Sequence, residues 1–550
     1  MHNKTRNAPN QCRQDSKSPS AAMLHKLEML TQSGQWDQLE IKARAVTARH
    51  PEQIIGWKAL GKTLLRQGKW KECLKTLSRL ALLAPDDADA HNDLGLVFYN
   101  LGRQEEAEAS YRRALEINPG FAEACGNLSS LLIDLGRFAE AAEILKRLLE
   151  IKPDSDYALL CLGALLERVG GNDEQAMAFL ARAISLNPNN VNAYVILGNM
   201  LWRNNQVANS LIIFRRAQEL RPLITYPALK EKADFSVLIL YAPGSGCAPI
   251  NYLISAAPYD CHSYCVLPDM PQDLEILRAK ADVVINIIGD ADYHRYLLPY
   301  AKDLVERLGR PAINHPRLVM HTDRESIARH LAGIPLCRIP RTIRLEGSVL
   351  AEASKNSALD GFTMPLLVRI AGNHGGDSFE KLDDLKAVTE FVARQPGDYF
   401  YVSEYADCRS ADGYFRKYRF ICIDGELFPY HLAIHDDWKV HYFRTDMINQ
   451  EWMRQEEESF LGNPHRVFDE PRHAALLAVA AVTGLDFSGI DCAIDRNGEI
   501  VVFETNATML VHDEKGETFA YKNPFIARIR DAFNAMLNRS RLRPAPAIGH

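Results

Sequence analysis

The chain has 550 residues, 47% hydrophobic and 24% charged, the make-up of an ordinary soluble protein with room for three or four domains. Lys and Arg number 64 against 70 Asp and Glu, a formal net charge of -6, which argues against a nucleic-acid partner, since such domains carry a basic excess. No apolar run reaches the roughly 18 residues needed to cross a bilayer, and Met1 to Ser20 lack the apolar core of a signal peptide, so no membrane partner and a cytoplasmic location are expected.

Residues 1–19 read as a disordered N-terminus. Prolines then recur at Pro51, Pro85, Pro119, Pro153, Pro188 and Pro222, a period of 34 broken once by one extra residue near Gly170-Gly171. Trp57, Leu60 and Gly61 open one unit as W-x-x-L-G, and Leu94-Gly95, Leu162-Gly163 and Leu197-Gly198 recur in step. Ala107, Ala114, Ala141, Ala176, Ala183 and Ala217 mark second helices that approach a neighbour closely, while Gly68, Gly102 and Gly136 suit the left-handed residue that ends a helix. The pattern resembles the tetratricopeptide repeat (TPR), with about six units over residues 20–222 forming an all-α solenoid. That resemblance implies a concave groove that takes a peptide or protein partner.

A linker, 223–233, leads to an α/β domain over 234–320. Ser236 to Tyr241 reads as a buried strand running into Ala242-Pro243-Gly244-Ser245-Gly246, whose glycines could turn backbone N–H groups toward an anion or simply make a turn. Strands at Tyr264 to Leu267 and Val283 to Ile288 alternate with helices around Asp273 to Ala281 and His294 to Leu308, so a parallel sheet is expected. Cys261-His262-x-x-Cys265 has two sulfurs and an imidazole but no second ligand pair, and carries no zinc expectation. The eleven cysteines are scattered and read as reduced, mostly buried thiols.

Beyond residue 320 several segments suit phosphate chemistry. Pro365 to Ala371 is a strand that carries Arg369 near its end and opens into Gly372-Asn373-His374-Gly375-Gly376-Asp377: charge from one, unhindered backbone N–H groups from the other. Tyr399 to Tyr405 is an alternating strand reaching Glu404. Residues 416–427 read strand, Asp-Gly turn, strand, with Arg419 on the first. His431, His435 and His441 lie in one local run, a poor basis for a zinc site. After the helix Arg472 to Thr483, two apolar strands flank a turn centred on Asn497-Gly498 and bring Asp491 toward Glu504 and Asn506, which leave one face of their strand. Two carboxylates and an amide suit a hard cation such as Mg²⁺. Residues 539–550 read as a disordered tail.

This hairpin resembles the metal-binding element of the ATP-grasp carboxylate-amine ligases, of the glutathione synthetase and ribosomal-protein glutamate ligase type. So do Ile313-Asn314-His315-Pro316, Asp323-Arg324, Gly333-Ile334-Pro335 and Ile339-Pro340-Arg341-Thr342, which match the start of that domain. The resemblance implies a multidomain chain: a TPR solenoid, an α/β pre-ATP-grasp domain (234–320) and an α+β ATP-grasp domain (321–538). It further implies Mg²⁺ on Asp491, Glu504 and Asn506, and ATP held by Arg324, Arg369, Gly372, His374, Gly375, Gly376, Glu404, Tyr405 and Lys439 or His441. Arg419 would be the catalytic group on the transferred phosphate. Arg324 and Arg369 depart from the family's lysines, and an arginine fork is not interchangeable with an ammonium. The expected function is an ATP- and Mg-dependent carboxylate-amine ligase acting through an acyl phosphate, with the TPR groove recruiting a peptide or protein substrate and a small-molecule amine or carboxylate as the other reactant. The alternatives are a non-catalytic TPR scaffold with a nucleotide-binding or degenerate ATP-grasp module, and phosphoryl transfer without ligation.

Overall fold

The computed structural model describes residues 19–170, 172–244, 247–255, 257–372, 379–395, 397–441, 445–507 and 509–543. The chain divides into two compact units, Met1–Met200 and Leu201–His550.

The first unit is built of helix pairs, from Ala21–Gln32 with Trp36–Arg49 to Asp156–Val169 with Asp173–Leu186. One pair shows how the sequence makes them. Asp87 caps the helix Ala88–Asn100 by accepting the Ala90 N–H, and Gly102 ends it at φ +74°, where an L side chain would be strained. The glycine of the repeat has a packing reason, because a Cβ on Gly95 would lie 2.5 Å from the Tyr111 ring of the second helix. Gly61 and Gly163 are confined in the same way by Leu77 and Leu180. Ala107, Ala114, Ala141, Ala176 and Ala183 are fully buried, as their small size requires where helices meet.

Polar side chains link the first helices of successive pairs. Asn127 Nδ2 donates to Asn92 Oδ1 at 2.9 Å, Asn92 Nδ2 to Glu123 Oε1 at 3.4 Å, and the Tyr157 hydroxyl meets Ser130 Oγ at 2.7 Å. Nearby, burial pushes the Asp93 carboxyl up to about 7, helped by Glu123 and Asp89 and opposed by Lys62. The folded chain therefore keeps a proton that the unfolded chain releases near 3.8. Stability is unimpaired below that pH and is lost as the pH rises through 7. Asp93→Asn is expected to stabilise the repeat unit at pH 8 by about 1–3 kcal/mol, allowing for partial exposure. At pH 4 it should change little, and denaturation midpoints at the two pH values check this.

The second unit carries the strands β1 (Ile224–Tyr226), β2 (Ser236–Tyr241), β3 (Asp260–Cys265), β4 (Val283–Asn286), β5 (Ala312–Ile313), β6 (Cys337–Arg338) and β7 (Thr342–Glu346). They are followed by β8 (Leu366–Ile370), β9 (Phe379–Leu382), β10 (Tyr399–Glu404), β11 (Phe415–Ile423), β12 (Glu426–His435), β13 (Phe487–Ile494) and β14 (Ile500–Asn506). Among the described residues they form three sheets, ordered β1-β3-β2-β4-β5, β7-β10-β8-β9 and β12-β11-β13-β14-β6.

The first sheet is parallel from β3 to β5, with β1 added antiparallel at its edge. Residues 223–233, expected as a linker, thus supply an edge strand: Ile224 to Tyr226 lie opposite Ser263 to Cys261. β3 begins four residues before the expected Tyr264 and ends at Cys265. His262 on it meets Thr225 Oγ1 at 2.9 Å. Gly244 after β2 also has a packing role, since a Cβ there would lie 2.7 Å from the Trp202 indole; Ser245 and Gly246 lie outside the described residues.

The second sheet is antiparallel and keeps its own core: Val368, Phe400 and Val402 pack on Leu350, Val388 and Phe391 of two helices. The third sheet buries Phe420, Cys422, Ile490, Cys492 and Val502 under the helices Glu451–Gly462 and Glu470–Thr483. Its other face reaches the first sheet and the C-terminal helix Asn523–Ser540 through Ile421, Phe428, Phe487 and Phe533. That helix takes in residues 539 and 540, expected in a disordered tail. Arg539 and Arg543 pair with Asp424, which holds the end of the chain to the β11–β12 turn; residues 544–550 lie outside the described set, as do 1–18. No helix among the described residues is long and apolar enough to cross a membrane.

Candidate functional site

The last hairpin forms, but with two features that simple alternation does not foresee. Its turn runs from Asp495, whose carbonyl accepts the Gly498 N–H at 3.0 Å and whose carboxylate accepts the Asn497 and Glu499 N–H groups, with Gly498 at φ +79°. The turn encloses Arg496, Asn497 and Gly498 within the Asp495 N–H to Glu499 carbonyl bond of 2.9 Å, as the Asn-Gly pair predicts, and Asp495 anchors it. More consequential is the register, in which Asp491 lies opposite Glu504 while Cys492 lies opposite Val502. Phe503 is the extra residue of a β-bulge and stands 40% exposed. Without it, Val502 and Glu504 would share a face. With it, Val502 joins the core while Glu504 and Asn506 turn to the side of Asp491.

A row of four residues then crosses this sheet. His431 on β12 lies opposite Arg419 on β11, Arg419 opposite Asp491 on β13, and Asp491 opposite Glu504 on β14. The Arg419 guanidinium grips Asp491 with both arms, Nε to Oδ1 at 2.5 Å and Nη2 to Oδ2 at 2.7 Å, and Lys417 Nζ lies 3.1 Å from the same carboxylate. Glu504 pairs with Arg324, the first residue of a helix capped by Asp323, and accepts from Asn506 Nδ2 at 3.0 Å.

Burial alone would push both carboxyls up, but their cations win. Arg419 and Lys417 hold Asp491 well below the usual carboxylate range, and Arg324 chiefly holds Glu504 near 2, against the opposing charge of Asp491. Both carboxylates are ionised, the state a hard divalent cation requires. Among the described residues no group of three His, Cys, Asp or Glu gathers as a metal site; the set here is two carboxylates and an amide. Burial pushes the His431 imidazole well below its ordinary value, with Arg419 adding to the effect, so it stands neutral beside the cations.

From the second sheet comes Arg369. Burial, and then repulsion from Arg324, lower its guanidinium to about 10, while Glu504 and Asp292 draw it back up. Arg369 thus stands within electrostatic reach of Arg324 and Glu504. Glu404 ends β10 with its N–H on the Arg341 carbonyl at 3.0 Å, and its carboxylate meets no partner among the described residues. Tyr405, Trp438 and Phe379 meet edge to face, with Lys381 Nζ 4.7 Å from the Tyr405 ring. Lys439 Nζ donates to the Phe379 carbonyl at 2.8 Å, so this lysine ties β9 to the segment after β12; it does not join the row on the third sheet. Gly372 takes φ +81° just after β8. His374, Gly375 and Gly376 lie outside the described residues.

The structure therefore brings together Arg324, Arg369, Arg419, Asp491, Glu504 and Asn506. Sequence reasoning missed Lys417, two residues before Arg419 and so on the same strand face, a spacing that could have revealed it. It also missed Asp292 and Tyr401, which no local pattern marks. Gly489, two residues before Asp491 and opposite Asn506, lies on the same strand face and is closely packed: a Cβ would lie 2.2 Å from Met509 Cγ. Gly489→Ala is expected to destabilise the second unit by about 1–3 kcal/mol, read by chemical denaturation.

Tetratricopeptide-repeat family profiles match residues 58–122, 101–162 and 164–223. The N-terminal region of about 220 residues is accordingly a TPR solenoid, followed by a C-terminal α/β region with mixed sheets. Among solved structures, the chain is similar to MamA from Desulfovibrio magneticus RS-1, with 21% identity, 30% of this chain and 92% of that one covered, and a TM-score of 0.28. It is also similar to YrrB, a TPR protein with an unusual peptide-binding site, at 19% identity, covering 33% and 92%, with a TM-score of 0.29. A tetratricopeptide repeat protein from Parabacteroides merdae ATCC 43184 is 20% identical over 36% of this chain and 83% of that one, with a TM-score of 0.31. No curated protein matches the chain.

Proposed function

We propose that the second unit is an ATP- and Mg²⁺-dependent carboxylate-amine ligase of the ATP-grasp type, and that the repeats recruit its peptide or protein substrate. The observation that carries the reading is the row Arg419, Asp491, Glu504 on one sheet, with Arg369 from another sheet within electrostatic reach. Two ionised carboxylates among four cations are what a metal–phosphate pair needs: anions for the metal, guanidinium and ammonium groups for the phosphate oxygens.

Asp491, Glu504 and Asn506 would hold Mg²⁺, which supplies a positive charge that neutralises the transferred phosphate. Arg324, Arg369 and Lys417 would bind and orient the triphosphate. Arg419, gripped from behind by Asp491, presents fixed donors to charge that develops as the substrate carboxylate takes the phosphoryl group. Attack of an amine on the resulting acyl phosphate releases phosphate and forms the amide. Neutral His431 beside Arg419 adds no charge to the site. No nucleophilic side chain is needed.

The test is ADP release by the full-length chain in the presence of a cell extract, with Mg²⁺ and with chelator. Mg-dependent ADP formation that Glu504→Gln abolishes supports the ligase. One observation favours the non-catalytic alternative: the Asp491 carboxylate already accepts three hydrogen bonds from Arg419 and Lys417. Nucleotide binding indifferent to Mg²⁺, with no ADP formed, would establish that alternative. A phosphorylated product without an amide would establish phosphoryl transfer.

A further inference from the structure

We propose that Asp292 is a positioning residue for the nucleotide site: it pins the second sheet to the parallel-sheet layer through Tyr401, and so sets Arg369 against Arg324 and Glu504. The functional consequence rests on the nucleotide reading above, whereas the pin rests on geometry.

Asp292 follows β4 in the parallel-sheet layer and is anchored there. The Asp290 carboxylate accepts the N–H groups of Asp292 and Tyr293 at 2.9 Å each, a side-chain turn that sets the direction of the segment. Trp202 packs on the far side of the segment, 6.0 Å from the Tyr293 ring and stacked at 5.9 Å on Tyr296. From the second sheet, the Tyr401 hydroxyl lies 2.8 Å from both Asp292 oxygens and donates its proton between them, with Tyr401 only 1% exposed. Arg344 Nε stands 3.8 Å from the same carboxylate.

The register converts this contact into control of the site. Arg344 on β7 lies opposite Tyr401 on β10, and Tyr401 opposite Arg369 on β8, so the three form one row on one face. The opposite face is the apolar core of Val368, Phe400 and Val402, whose members come from this sheet, its two helices and, with Ala353 and Leu359, the loop between the first helix and β8. A sheet with its own core survives when a polar tie to its neighbour is cut, but it is held less firmly, so it shifts and its strands open more often. Asp292 holds Tyr401 in this row, and Arg369 is its neighbour on β8. The charges agree: Asp292 favours the charged forms of both Arg369 and Arg324, while burial and Asp290 push its own carboxyl up and the Tyr401 bond draws it down.

The experiment compares Tyr401→Phe, Asp292→Ala, their combination and Asp292→Asn in the full-length chain. Two readouts are used: calorimetric affinity for ATP with Mg²⁺, and amide exchange in β8 and β10. Each of the first two variants is expected to weaken ATP binding about tenfold and to speed exchange in both strands. The combination should do no worse than either alone, and Asp292→Asn, whose amide oxygen still accepts the tyrosine proton, should stay close to wild type. Additive losses, or affinity and exchange like wild type in Tyr401→Phe, would overturn the proposal. Should the wild-type chain bind no nucleotide, the functional reading fails, and exchange alone decides the pin: equal acceleration in both single variants upholds it, and no change refutes it.

Discussion

Asp491→Ala is expected to destabilise the C-terminal unit by about 3–5 kcal/mol, the largest stability loss of any single exchange in the site. The reason is what remains. Asp491 is 1% exposed, and its carboxylate is the partner of both Arg419 and Lys417. Removing it leaves two mostly buried cations facing each other across a void with no anion to offset them. The loss should shrink by about 1–2 kcal/mol when Arg419→Met is added, because one of the stranded charges goes with it. Acid should mimic the substitution in part. The folded pKa of Asp491 is depressed, so its contribution is complete above the ordinary carboxylate range and is lost as the pH falls through the folded value. Denaturant midpoints of the second unit for wild type, single and double variants check the ordering.

Glu504→Gln is expected to reduce Mg-dependent nucleotide affinity and ADP formation by about 100-fold or more, while leaving the fold intact. The glutamine keeps the shape and one acceptor oxygen, and at 22% exposure the side chain is not part of a packed core. What goes is one of two carboxylates able to meet a hard cation, together with the charge that balances Arg324. Arg324, released from its ion pair, would still draw phosphate, so nucleotide binding without Mg²⁺ should survive better than binding with it. Binding measured with Mg²⁺ and with chelator separates the two. Equal loss in both conditions would mean that Glu504 acts through Arg324 and not through a metal.

The elements legible in the sequence are those whose cause is local. The period of 34 encodes helix pairs because each glycine and alanine answers to a neighbour within its own or the next unit, as Gly95 does to Tyr111. The Asp424-Gly425 turn announces itself because few residues other than these adopt the positive φ of 50° and 82° that joins β11 to β12. Tyr399 to Glu404 alternates and forms a strand with one apolar and one polar face.

The rest depends on contacts that no window of sequence contains. Val501-Val502-Phe503-Glu504 reads as an ordinary apolar strand, and only its pairing with β13 reveals the bulge at Phe503 that turns Glu504 toward Asp491. Arg324 invites a phosphate-binding reading, yet its partner lies 180 residues away, and Tyr401 finds Asp292 across 109 residues. Lys439 sits where the resemblance wants a phosphate ligand, and it holds a backbone carbonyl of β9. The Asn-Gly turn forms where expected, but the Asp495 carboxylate that caps two of its N–H groups at once carries no mark in the sequence.

The most direct test of the central claim is a calorimetric titration of ATP into the full-length chain, run once with Mg²⁺ and once with chelator. Asp491, Glu504 and Asn506 acting as a metal site predict ATP binding at least about tenfold tighter with Mg²⁺, a gain that Glu504→Gln removes. Identical affinity in the two conditions, or no binding in either, would contradict it.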